Sequence, residues 1–127
     1  MTMMFRLFIP ICALNKTDMY EDRIQRAVDN FKQGYNCAQA VTAAFADLYR
    51  LTEEQALRIS ASFGGGIGRM REVCGAASGM FILAGLQTGT IDPKDSKGKE
   101  YNYQVVQQLA AEFRKRNGSI ICGELLG

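Results

Sequence analysis

Histidine is absent from the 127 residues, proline occurs only twice, and cysteine four times. Without an imidazole there is no usual general base, no commonest metal ligand, and no Ser-His or Cys-His nucleophile pair. Any chemistry must therefore use thiols, carboxylates or backbone groups. Cysteine is too sparse for a disulfide-dense secreted scaffold and lacks the paired CxxC spacing of a zinc site. Charge of one sign is also missing. The formal net charge is +2 with the cations scattered, which gives a polyanion nothing to hold and excludes a nucleic-acid partner. The one basic run, Arg114-Lys115-Arg116, precedes Asn117-Gly118, where cations complement a helix C-terminus.

What remains is an ordinary globular composition, 47% hydrophobic and 22% charged, in a chain of a size that commonly folds around one core. The uncharged run from Val73 to Ile91 barely reaches membrane-spanning length and contains Gln87, several glycines and two threonines. A buried helix is expected there and no membrane partner. The apolar run Leu7 to Leu14 is broken by Pro10 and has no small-residue cleavage region after it. Residues 1–18 accordingly read as an N-terminal extension, with Cys12 incidental to function, residues 19–127 as the folded domain, and the location as cytoplasmic.

Strand signals are nearly lacking, and helix signals recur. Ile24, Ala27, Val28 and Phe31 share one helical face, with Asp18 and Glu21 spaced as a capping box and Gly34 closing the segment. Cys37, Ala40, Val41, Ala44, Phe45 and Leu48 form a second stripe behind Asn36 and Gln39. Thr52 and Gln55 repeat the device before Ala56, Leu57, Ile59 and Phe63. Cys74 to Leu86 carries no charge and reads as a helix buried on all sides, with Gly75 and Gly79 in a close-approach spacing. Val105, Val106, Leu109 and Phe113 mark a last long helix ending at Gly118. The fold class expected is all-α, a compact bundle of about five helices around a buried Gly/Ala-rich central helix.

Cys37, Cys74 and Cys122 each fall at a predicted helix start, where first-turn amides favour a thiolate. Arg69 and Arg71 precede Cys74 and would add to that effect. Separations of 37 and 48 residues mean that only the fold can assemble a shared site. The loop from Phe63 to Arg69, with Gly64, Gly65, Gly66 and Gly68, is too glycine-dense for a helix interior. It reads as an anion-binding nest, as a surface allowing close approach beside Cys74 and Gly75, or as a tight connection. It matches no nucleotide-binding pattern. Glu72 and Glu124 are weaker candidates for proton transfer or metal ligation.

Three segments resemble the redox-active protein family named for its C_GCAxxG_C_C cysteine pattern: Tyr35-Asn36-Cys37-Ala38-Gln39, the glycine loop with Cys74-Gly75-Ala76-Ala77-Ser78-Gly79, and Cys122-Gly123-Glu124-Leu125-Leu126-Gly127. The likeness runs from Met19 to Gly127. It implies a small helical protein with redox activity or a prosthetic group such as an iron-sulfur cluster. The family pattern has a further cysteine beyond the Cys122 segment, which this sequence lacks, so it reads as truncated and a complete four-thiolate site is not expected from it.

Two functions follow as expectations. In the first, Cys37, Cys74 and Cys122 converge for thiol–disulfide exchange with a redox partner protein, or bind an iron-sulfur cluster or other soft metal. In the second, the cysteines are core packing in a non-enzymatic, homo-oligomeric assembly module whose Gly/Ala-rich helix makes the contact.

Overall fold

The computed structural model describes residues 17–126, with side chains from Glu21 onward. They form an all-α bundle: α1 (Thr17–Lys32), α2 (Cys37–Phe45), α3 (Glu53–Ser60), α4 (Gly75–Thr88), α5 (Ser96–Asn117) and a single turn, α6 (Cys122–Leu125). Short 3₁₀ turns, Ala46–Tyr49 and Ala61–Phe63, follow α2 and α3. Among the described residues there is no strand, only an isolated antiparallel bridge between Val73 and Ile121. Residues 1–16, including Cys12, lie outside the described residues.

The caps on α2 and α3 form as their sequence requires. Asn36 accepts from the Gln39 amide at 2.9 Å while Gln39 accepts from the Asn36 amide at 3.3 Å; Thr52 and Gln55 do the same for α3. Asn36 also donates to the Ala61 carbonyl at 3.0 Å, which fixes the start of α2 against the end of the α3 segment. Replacing Asn36 with alanine removes both functions and should cost about 1–2 kcal/mol in urea unfolding, with Asn36→Ser recovering the capping share. The backbone of α1 already includes Asp18, and the cap expected from that side chain lies outside the described side chains.

Packing follows the predicted stripes with three corrections. Phe31 is 37% exposed because it lies in the last turn of α1, where the chain leaves at Gly34. Leu48 is 42% exposed because α2 ends at Phe45 and the 3₁₀ turn, at about three residues per turn, carries the chain off the helical stripe. Ile59 is exposed because α3 turns Ala56 and Ser60 inward, and the helix stops before Phe63.

The core joins α1, α2 and α4 through Ile24, Val41, Phe45, Met80 and Leu83, closed from α5 by Phe113. Val105 and Leu109 of α5 cover Ala84. Only the first half of α4 is buried all round; Gly85, Leu86 and Gln87 face out. Its Gly75–Gly79 spacing is used inside the chain. A Cβ on Gly79 would lie 3.0 Å from Val41 Cβ and 3.1 Å from the Ala38 carbonyl, so the missing side chain is what lets α2 and α4 touch.

Arg23 is an internal tie that the helical pattern does not announce. Its guanidinium is buried, makes bonds of 2.6 and 3.0 Å to the two Asp47 carboxylate oxygens, and donates to the Ala44 carbonyl. The hydrogen bond from Arg23 holds the Asp47 carboxyl below its ordinary range against the opposing effect of desolvation. No helix among the described residues is long and apolar enough to cross a membrane.

Candidate functional site

The segment joining α3 to α4 has an unusual backbone. Five consecutive residues, Gly65 to Arg69, have positive φ, and Arg71 follows at +63°. Ile67, Arg69 and Arg71 are not glycines, and for a residue with a Cβ this region costs roughly 1–2 kcal/mol each. Hydrogen bonding offsets part of that cost. The amides of residues 67 to 72 all donate to carbonyls between Ser62 and Ile67. Of the four loop glycines, Gly68 alone has its amide among these donors, and the contacts of the others support the close-approach reading.

What approaches is cysteine. A Cβ on Gly66 would sit 2.7 Å from Cys122 Cβ, and one on Gly75 would sit 3.1 Å from Cys37 Cβ. A Cβ on Gly64 would strike the Asn36 side chain at 2.5 Å, next to Cys37. Gly65 is equally confined, by Arg69 of its own loop, whereas Gly68 faces open space. Three glycines thus seat the Cys37 and Cys122 segments around the loop and the start of α4.

The third connection is the Val73–Ile121 bridge. The Cys74 amide donates to Ile120 at 2.7 Å and the Cys122 amide to Glu72 at 2.6 Å, while Gly123 donates to Arg71. Side chains alternate along extended backbone, so Cys74 and Cys122 share one face as diagonal neighbours. Such neighbours have backbones about 7–8 Å apart.

All three cysteines are free thiols. Cys74 and Cys122 are 7% and 8% exposed, and Cys37 is half-buried against the core cluster that contains Cys74. Burial raises the Cys37 thiol above its ordinary value, and the like charges of Cys74 and then Cys122 raise it further. Burial also raises Cys74; the amides of Ala76 and Ala77 oppose this, and Cys122 adds to it. The three sulfurs therefore lie within electrostatic reach, and Cys37 senses Cys74 more strongly than Cys122.

Two expectations from the sequence change here. The helix-start amides do act on Cys74 in the expected direction, but no side-chain cap bond closes there and desolvation outweighs them. Arg71 does not serve Cys74: its Nη1 lies 3.8 Å from Cys122 Sγ. That contact spans 51 residues and had no local signal beyond a cation near a cysteine. Cys122 opens a helix of one turn, too short for a useful dipole, and this guanidinium is its side-chain hydrogen-bond donor. The carboxylates stay outside. Glu72 is exposed, and exposed Glu124 accepts from Ser119 to brace the turn before Cys122.

Among the described residues no three His, Cys, Asp or Glu side chains are grouped to hold a metal ion. A cleft of about 470 Å³ between α1 and the end of α2 is lined by Arg26, Asp29, Asn30 and Asp47, with no cysteine on its wall.

Fold and site together define an all-α protein in which glycine contacts seat the Cys37 and Cys122 segments against the loop and the start of α4, where Cys74 lies. Residues 35–127 match the family described as "Putative redox-active protein (C_GCAxxG_C_C)", and the chain belongs to that family. No curated protein and no solved structure matches it.

Proposed function

We infer that this protein exchanges disulfides with a partner protein, with Cys37 as the outer thiol and Cys74 as the resolving thiol. The supporting observation is their placement. Cys37 is the most accessible of the three and packs against the first turn of α4, one residue from Cys74.

The chemistry balances with a disulfide-bearing partner as oxidant. The Cys37 thiolate attacks one partner sulfur, the partner S–S bond breaks, and the other partner sulfur leaves with the electron pair and takes a proton. Cys74 then attacks Cys37 Sγ, forms the internal disulfide and releases the second partner thiol. The partner gains two electrons and this protein loses two. No step in this exchange requires a metal or cluster.

Glutathione supplies a defined partner couple. Across a series of reduced-to-oxidised ratios, acid quenching and mass-spectrometric mapping should find a Cys37–Cys74 disulfide, and Cys74→Ser should trap a mixed disulfide on Cys37. The burial of Cys74 and Cys122 favours one other reading, cysteines that only pack the core of an assembly module. Thiols that remain reduced across the whole series, with Cys74→Ser altering only stability, would decide for it.

A further inference from the structure

We propose that Cys122, assisted by Arg71, is an internal third thiol that takes over the disulfide from Cys37. The inference rests on the exchange reading above and adds a step to it. Three observations carry it: Cys74 and Cys122 share one face of the Val73–Ile121 bridge, Arg71 Nη1 lies 3.8 Å from Cys122 Sγ, and Gly66 backs directly onto Cys122 Cβ.

Starting from the Cys37–Cys74 disulfide, Cys122 Sγ releases its proton to solvent and attacks Cys74 Sγ. The Cys74–Cys122 bond forms as the bond to Cys37 breaks, and Cys37 leaves with the electron pair and takes a proton. The count of disulfides is unchanged, so no further oxidant is needed. In such exchange the attacking sulfur starts as a thiolate and shares its negative charge with the leaving sulfur as the bond passes. A guanidinium fixed beside the attacking sulfur, at a site where both cysteines are buried, meets that charge where screening by water is weakest.

The geometry also sets the demand. Diagonal bridge neighbours stand about 7–8 Å apart, whereas a disulfide wants about 4.4–6.8 Å between its α carbons. The Cys122 segment must therefore move toward Cys74 before the bond can form. The result is a disulfide on the two most buried thiols, with the half-buried Cys37 free to engage a partner again.

The test is time-resolved disulfide mapping after one equivalent of oxidised glutathione. The wild-type chain should form Cys37–Cys74 first and convert it to Cys74–Cys122, and Cys37 should then regain reactivity toward iodoacetamide. Arg71→Gln should slow the conversion about tenfold or more, the effect of one charge-assisted contact, with the rate of the first disulfide unchanged and Arg71→Lys recovering part of the loss. Circular dichroism and melting report whether Arg71→Gln retains the fold. Should it not, Cys122→Ser serves instead, leaving Cys37–Cys74 as the final product and Cys37 permanently blocked. Cys122 persisting as a thiol beside a stable wild-type Cys37–Cys74 disulfide overturns the relay and leaves the exchange reading intact. Conversion at the same rate in Arg71→Gln overturns the role of Arg71. A chain that forms no disulfide at all removes both readings.

Discussion

Replacing Gly66 with alanine should lower the unfolding free energy by about 2–5 kcal/mol, the sum of a left-handed backbone penalty and overpacking in a closed contact. At φ +76° the new Cβ would meet Cys122 Cβ at 2.7 Å, the Glu72 amide nitrogen at 2.7 Å and Arg71 Cα at 2.8 Å. Two of those three atoms are backbone, and the third is the fixed stem of a buried cysteine, so none can swing aside. Gly68 is the control. It too has positive φ, at +58°, yet a Cβ there meets nothing within 4 Å, so Gly68→Ala should show only the backbone penalty of about 1–2 kcal/mol. Urea unfolding of the two variants separates the effects. Equal losses would mean that the contact between the glycine loop and Cys122 is not a packing constraint. If Gly66→Ala folds, its Cys122 should also be displaced from Arg71, which the disulfide mapping would register.

Stability should fall as pH rises above the ordinary thiol range. An unfolded cysteine ionises near 8.5. In the folded protein burial raises both Cys37 and Cys74, so these groups keep protons that the unfolded chain has released. The native state then binds more protons than the unfolded state, and the unfolding free energy declines with pH. Their contribution is fully present below the unfolded value and is lost as pH climbs through the raised native values. Denaturant titrations between pH 7 and 10 under reducing conditions should show this decline, and a Cys37→Ser/Cys74→Ser double variant should flatten it. The same cause predicts that iodoacetamide modifies both thiols more slowly in the folded protein than in denaturant at neutral pH. An alkaline slope unchanged in the double variant would assign it to other groups.

Much of the architecture is legible in local sequence signals. The Asn36–Gln39 and Thr52–Gln55 caps, the chargeless helix after Cys74, the glycine stop at Gly118 and the cations before it are local signals. They depend on neighbours a few residues away, and they formed where the spacing put them. The misplaced residues Phe31, Leu48 and Ile59 have a shared cause. Each lies in a final turn or just beyond a helix end, where periodicity continues on paper after the helix has stopped or the chain has turned away. Arg23 was hidden for the opposite reason, because a charged residue on a helix carries no mark that its partner, Asp47, lies at the end of another helix.

At the cysteines the division is sharper. Residue order alone determined which thiols are available, that no imidazole assists them, and that Cys37 and Cys74 stand at helix starts. Tertiary packing decided everything about their relations: burial that outweighs the helix amides, a bridge that sets Cys74 and Cys122 on one face, and an arginine directed to Cys122 although Cys74 is nearer in sequence. The reason is physical. Capping acts over one turn and is encoded within four residues, whereas desolvation and charge proximity are sums over every segment that closes around an atom, and those segments meet only once the glycines let them touch.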